Sequence, residues 1–386
     1  MSKVPPSNPF RFGALALDDS FADREGERAE LVADVRNGQD VVVFAPRRCG
    51  KSSLIWSAMQ ALNREGILVA HVDLMRTPTK EKLAAALAAS IFEQIASPVE
   101  RLKEKALAPF RGLQVRPTIT VDPEDGSYSF SFELGRGGAD VDATLERLLQ
   151  LPAELGGEGK RRTALVMDEF QEIVQVDPNL PLLLRSVFQE QPDVAHVYLG
   201  SKRHVMKEIF SDANKAFWRS AKSIELGTIA PEAFGPFVAE RFERTGRIVD
   251  DDAVARLLEI TGGHPYATQE LAYFLWEQAP VGGRASIGEL ERALVAVLRS
   301  EHAHFSLLWE DASRVQRLVL QALAREPGRP FTAAYRERHD LPPSTNVQKA
   351  LRALERRETV GGSDGAYGIV EPFLAEWLRS SLSGEG

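Results

Sequence analysis

The sequence predicts an α/β protein, a doubly wound parallel sheet followed by a helical lid and a C-terminal winged helix domain. Three observations lead there. Apolar runs at 41–45, 67–72, 164–167, 194–200 and 223–226 alternate with helical stretches, the pattern of strands covered on both faces by helices. The first run leads into Ala45-Pro46-Arg47-Arg48-Cys49-Gly50-Lys51-Ser52-Ser53, which fits the phosphate-binding loop pattern Ala/Gly-x-x-x-x-Gly-Lys-Ser/Thr. Strand signals then stop near residue 230, where 234–243, 251–260, 265–278 and 287–298 read as helices, and 311–386 reads as helix, helix, helix, hairpin, helix.

The loop carries the first chemical expectation. Between a strand and a helix, its backbone amides point at phosphates from a helix N-terminus. Lys51 is placed to bridge the β- and γ-phosphates as a point charge, and Ser52 to set its hydroxyl on magnesium. Ala45 stands where such loops more often have Gly, and its methyl is the smallest side chain that could be added there. A second half follows at Thr163-Ala164-Leu165-Val166-Met167-Asp168-Glu169, four apolar residues running into two acids. A buried strand ending at water explains this pattern on its own. Paired with the loop it becomes specific: Asp168 holds the magnesium hydration shell, and Glu169 polarises the attacking water as general base.

At 386 residues and 44% apolar content, the chain is long enough for two or three folded domains. No apolar run approaches the roughly 18 residues of a membrane span, and the N-terminus lacks the order of a secretory signal, so the expectation is a cytoplasmic protein with no membrane partner. The single cysteine, Cys49, cannot form an internal disulfide and reads as a small filler in the loop. A net charge of -8 argues against whole-surface attraction to nucleic acid. Residues 311–386 are nearly charge-balanced, so the acid excess lies in 1–310.

Residues 1–228 read as the nucleotide-binding core, 229–305 as the lid and 306–386 as the winged helix domain. An insertion at about 106–141 interrupts the core. There Leu113, Val115, Ile119 and Val121 alternate, then Tyr128, Phe130, Phe132 and Leu134, around Pro123-Glu124-Asp125-Gly126, a β-hairpin signal. Its aromatic face suits packing onto the parent domain better than a partner surface. In the lid, Thr261-Gly262-Gly263-His264-Pro265-Tyr266 is explained by a C-cap glycine and a proline opening the next helix. A lid closing over phosphates excludes water. In the winged helix segment, helix 344–357 puts Val347, Ala350, Leu351 and Leu354 on one face and Lys349, Arg352 and Arg356 on the other. That basic face suits a recognition helix on duplex DNA, and a solvated surface explains it equally well.

Together these features resemble the predicted archaeal-type ATPases, a branch of the signal-transduction ATPases with numerous domains, themselves relatives of the AAA-plus proteins. The resemblance rests on Asn8-Pro9-Phe10, Phe21 with Arg24-Glu25, Pro46-Arg47-Arg48, Asp168-Glu169-Phe170, Leu199-Gly200-Ser201, Phe217-Trp218-Arg219, Gly263-His264-Pro265-Tyr266, Glu371-Pro372 and Trp377-Leu378. It implies that Phe21 and Arg24 lie near the nucleotide base, and that Ser201 or Lys202 senses the γ-phosphate. Such proteins often carry Ser-Ser after the glycine, whereas Ser201-Lys202-Arg203 follows here. Arg219 is implied to reach phosphate, in its own subunit or across an interface, with a surface helix-end arginine as the alternative. His264 and Pro265 are implied to couple the lid to bound ATP or ADP.

Other chemistries find little support. The seven histidines offer no metal-ligand spacing, and Glu301-His302-Ala303-His304 reads as an exposed helix end. The leading expectation is a slow ATP-hydrolysing switch. Its alternatives are a DNA-binding ATPase similar to replication initiators and a nucleotide-binding scaffold with negligible hydrolysis. A protein partner or self-association stays open beside them.

Overall fold

The computed structural model describes residues 7–13, 23–95, 110, 115–121, 128–134, 140–159, 162–280, 282–363 and 365–383. They fall into two compact units. One comprises residues 24–47 and 51–226, and the other takes the N-terminal residues up to 23, residues 48–50 and everything from 227 onward.

In the first unit, helix α1 (Glu25–Arg36) leads to β1 (Val41–Phe44), α2 (Lys51–Arg64), β2 (Leu68–Asp73) and α3 (Lys80–Ile95). The inserted hairpin β3 (Val115–Val121) and β4 (Tyr128–Leu134) precedes α4 (Val141–Gly159), β5 (Thr163–Asp168), α5 (Ile173–Val176) and α6 (Leu180–Phe188). Then come β6 (Val194–Gly200), α7 (Arg203–Ser211) and β7 (Lys222–Glu225). Strands β2-β5-β6-β1-β7 form one sheet in that order, and every pairing is parallel. All residues of β1 and β6 are buried, as their unbroken apolar runs require in a sheet covered on both faces. β7 lies at the edge, and only Ile224 of its four residues is buried. A parallel sheet puts the carboxyl ends of β1, β5 and β6 on one side, where ligands bind in such folds. Phe170, directly after β5, is fully buried and packs on Tyr198, Phe210 and Phe217 with ring centroids 4.7, 5.8 and 5.3 Å away. That cluster holds the turn leaving β5.

The expected hairpin is present, with Val115 opposite Leu134 and Val121 opposite Tyr128. Its turn at 123–126 lies outside the described residues. Phe132 is buried against Phe92 and Phe110, at 5.6 and 5.3 Å, so this aromatic serves packing within the unit.

The second unit runs α8 (Pro231–Arg244), β8 (Ile248–Val249), α9 (Asp251–Thr261), α10 (Pro265–Gln278), β9 (Arg284–Ala285) and α11 (Ile287–Glu310). It continues with α12 (Arg314–Arg325), α13 (Ala333–Arg338), α14 (Ser344–Arg356), β10 (Val360–Ser363), β11 (Ala366–Ile369) and α15 (Pro372–Ser383). The last six elements have the helix, helix, helix, hairpin, helix order of a winged helix. Two expectations are corrected. No strand was expected in the lid, yet β8 and β9 pair in parallel over two residues each, too short for periodicity to register. The residues Glu301 to His304 are no helix end, because α11 continues to Glu310, with no glycine or proline after Gly288 in its first turn to stop it. One apolar core joins Phe242, Leu257, Leu271 and Val297 to Phe305, Leu323, Leu351 and Phe373. The N-terminal segment seats Phe10 on Phe242 at 5.5 Å, while Asn8 donates to the Tyr273 carbonyl at 3.1 Å.

The glycine pair before α10 behaves as its chemistry demands. Gly262 is the left-handed C-cap of α9. Gly263, at φ 68°, accepts from Ile229 N, and a Cβ there would lie 2.1 Å from the Ile229 carbonyl oxygen. His264 then caps α10, accepting at Nδ1 from Ala267 N, and Pro265 is its first residue.

Candidate functional site

The site is built where β1 and β5 end. β1 passes into the loop through Ala45, whose amide donates to the Gly200 carbonyl at 3.4 Å. The loop then turns through Arg48 at φ 61° and Gly50 at φ 84°, left-handed conformations that glycine tolerates and arginine rarely adopts. α2 begins at Lys51, so Lys51 and Ser52 occupy its first two positions. Lys51 is buried and Ser52 exposed. Pro46 is half-buried, Arg47 is exposed, and Cys49 and Ser53 are buried.

The acids at the end of β5 converge on Lys51. Its ammonium lies 2.9 Å from Asp168 Oδ1 and 2.6 Å from Glu169 Oε1. Asp168 Oδ1 also accepts from the Glu169 amide at 2.8 Å. Glu169 has a left-handed backbone, φ 52° and ψ 46°, a conformation that costs free energy and clusters at functional sites. Its Oε2 accepts from Ser201 Oγ at 2.8 Å and from Gln171 Nε2 at 2.5 Å. Burial would raise the Glu169 carboxyl, but the charge of Lys51 and the bonds from Lys51, Gln171 and Ser201 outweigh it and hold the group below its ordinary range. On β2, His71 Nε2 lies 4.0 Å from Asp168 Oδ2, and burial lowers its affinity for a proton despite that neighbour.

The structure thus brings together Lys51, Asp168, Glu169 and Ser201. Lys202, the alternative sensor, pairs with Glu172 at 2.6 Å. Arg24, at the N-cap of α1, is buried and bonded to Glu27 at 2.7 Å. Phe21 lies outside the described residues. Arg219 is exposed, has φ 49°, and holds its guanidinium 5.4 Å from the ring of the exposed Trp218. His264 and Pro265 belong to the second unit, where they open α10. In that unit Lys349, Arg352 and Arg356 are exposed along α14, and Arg357 beside them pairs with Asp311 at 2.7 Å.

Gln171 and His71 are the neighbours that sequence reasoning missed. Neither sits at a motif position, and only the left-handed turn at Glu169 brings residue 171 back onto the carboxylate. The donor set suits a magnesium nucleotide: Ser52 and Asp168 offer hard oxygens, Lys51 a cation, and the start of α2 its backbone amides. Among the described residues no cluster of histidine, cysteine and acids has metal-site geometry of its own.

A parallel sheet with a phosphate loop, a lysine at the head of the following helix and paired acids on a neighbouring strand defines a P-loop nucleoside triphosphatase. The chain belongs to the family described as the ATPase domain predominantly from Archaea, whose model matches residues 21–271. A probable winged helix domain matches residues 303–380. Among solved structures the chain is similar to a Walker-type ATPase of Pyrococcus abyssi, 17% identical, covering 94% of this chain and 97% of that one with a TM-score of 0.65. It is also similar to the ORC2 protein of Aeropyrum pernix in ADPNP–ADP complexes, 15% identical, covering 97% and 99% with a TM-score of 0.56. At such identities these likenesses establish the fold. A curated relative, an uncharacterised WD repeat-containing protein of Synechocystis, is 36% identical over 76 residues. That match covers 19% of this chain and spans 6% of the relative's length. No helix among the described residues is long and apolar enough to cross a membrane.

Proposed function

We propose that this chain is an ATP-driven molecular switch of the signal-transduction ATPase type, in which nucleotide state sets the contacts of the lid (229–305) and the winged helix (306–386). The observation that carries the reading is the convergence of Lys51, Asp168 and Glu169 at one point, with the base and the phosphate-binding cation already paired. The loop 45–53 takes the phosphates, Lys51 bridges the β- and γ-groups, and Ser52 and Asp168 hold magnesium. Glu169 is the general base, and Ser201 senses the γ-phosphate through its bond to that carboxylate. Arg24 lies toward the base, Arg219 stabilises charge on the γ-phosphoryl group, and His264 and Pro265 couple the start of α10 to the nucleotide. Turnover is slow, a timer and not bulk metabolism. The location is cytoplasmic.

A second reading, a DNA-acting ATPase, is favoured by α14, where Lys349, Arg352 and Arg356 are exposed along one helix. A stripe of exposed cations suits a phosphate backbone. ATPase rate and particle size, each measured with and without duplex DNA, test both readings. ATP turnover without DNA response supports the switch, DNA stimulation supports the second reading, and nucleotide binding without turnover would leave a scaffold.

A further inference from the structure

Gln171 lies on the short 3-10 turn that follows Glu169, closed by a bond from Glu172 N to the Glu169 carbonyl at 2.9 Å. The side chain is 2% exposed, and its Nε2 donates to Glu169 Oε2 at 2.5 Å. Its own Oε1 is buried with no hydrogen-bond partner. An unsatisfied buried amide oxygen destabilises the fold and calls for a compensating role. Turning the amide over would aim Oε1 at the carboxylate, so the charge on Glu169 fixes which atom faces it. Packing fixes the rest: a Cβ at Gly200 would lie 2.7 Å from Gln171 Oε1 and 2.3 Å from Met206 Cγ, so the amide is seated in a filled space.

The three donors on Glu169 divide its oxygens. Oε1 belongs to Lys51, and Oε2 to Gln171 and Ser201. When Lys51 turns to phosphate it releases Oε1 only. We propose that Gln171 is a positioning residue for hydrolysis, holding Glu169 by Oε2 so that Oε1 is the atom presented to the attacking water. In that step the water oxygen bonds to the γ-phosphorus, the bond to the β–γ bridging oxygen breaks, and its electron pair leaves with the diphosphate. The water proton passes to Glu169 Oε1. The inference rests on Glu169 being the base.

The test compares Gln171→Met, which keeps the volume and loses the donor, with Gln171→Glu, which sets a second carboxylate against the first. Each is checked for an unchanged melting temperature and for affinity toward a non-hydrolysable ATP analogue. The account expects affinity within about twofold of wild type, kcat lowered about tenfold in Gln171→Met and further in Gln171→Glu. In a Glu169→Gln background, Gln171→Met should cost nothing more, because the carboxylate it positions is gone. Wild-type kcat in Gln171→Met with an inactive Glu169→Gln overturns the positioning role alone. Full turnover in Glu169→Gln removes the base assignment and this role together. Equal losses in affinity and kcat would make Gln171 a packing residue, and so would overturn it too.

Discussion

Lys51 Nζ sits 2.6 Å from Glu169 Oε1, so the cation assigned to the phosphates and the base assigned to water are each other's partner. Both side chains are largely buried, with 8% and 18% of their surface exposed. An ion pair in such surroundings is costly to break by removing one member, since the remaining charge is left without compensation. Engagement of phosphate by Lys51 therefore has a built-in consequence for Glu169: it frees one carboxylate oxygen and removes the strongest influence lowering its proton affinity.

Lys51→Ala should accordingly do two things. It should abolish tight triphosphate binding, because the backbone cradle remains while the cation is lost. It should also lower the melting temperature of the protein alone by a few degrees, as Asp168 and Glu169 are left facing each other without their cation. Calorimetry with and without millimolar magnesium-ATP reads both effects. A thermal shift by ATP equal to wild type would remove Lys51 from the phosphate site.

A pH dependence should arise in the second unit. Glu270 on α10 is 1% exposed and neither of its carboxylate oxygens has a hydrogen-bond partner. Burial, then the charges of Glu301 on α11 and Glu371 before α15, push it up to about 8, with Arg48 opposing. Arg48 itself lies 4.3 Å from the Tyr266 ring, one turn earlier on α10. A carboxyl whose folded value exceeds its unfolded one contributes stability fully below the unfolded value, near 4.5, and loses it as pH rises toward 8. Melting temperature should fall over that window. Glu270→Gln should flatten the slope and raise the melting temperature at pH 8, and an unchanged slope would show that Glu270 titrates normally.

Much of this architecture is legible in the sequence because the signals coincide with unavoidable physics. Val41 to Phe44 and Val194 to Gly200 are buried along their whole length, and only a two-sided sheet accommodates such runs. Lys51, Asp168 and Glu169 could be joined in advance because parallel strands put their carboxyl ends on one edge. Gln171 could not, since its contact depends on a left-handed residue that carries no glycine to announce it. Strands β8 and β9 are too short to alternate. The run from Glu301 to His304 looked like a terminus because it is polar, yet Phe305 beyond it is buried and His302 accepts from Trp377 Nε1 at 3.1 Å.

Arg219 presents a left-handed backbone and an exposed guanidinium beside Trp218. If it stabilises the transferring phosphoryl group, Arg219→Ala should lower kcat about a hundredfold or more while leaving nucleotide affinity within about threefold. Mixing Arg219→Ala with Lys51→Ala protein separates the two geometries. Recovered activity in mixed assemblies indicates action across an interface, and none, with a monomer in ATP, indicates action within one subunit. Equal kcat in Arg219→Ala and wild type would leave it a surface arginine.

The stripe on α14 distinguishes a DNA role from an internal one. Should it meet phosphates, neutralising Lys349, Arg352 or Arg356 singly should weaken binding to every sequence and reduce the salt slope by roughly one unit each. Arg357, already paired with Asp311, should matter less. Salt titrations of duplex binding by fluorescence anisotropy read this directly. Undetectable DNA binding by wild type, with raised basal ATPase in Lys349→Glu/Arg352→Glu, would instead make the stripe a brake on turnover.

The central claim is that Glu169 activates water at a nucleotide held by Lys51 and the phosphate loop. Single-turnover ATP hydrolysis by Glu169→Gln, alongside its equilibrium affinity for ATP, tests it most directly. The amide keeps the shape of the side chain but cannot take the proton, so the account predicts wild-type or tighter binding, because a competitor for Lys51 is gone, and a hydrolysis rate lowered about a hundredfold or more. Hydrolysis at the wild-type rate by Glu169→Gln would contradict it.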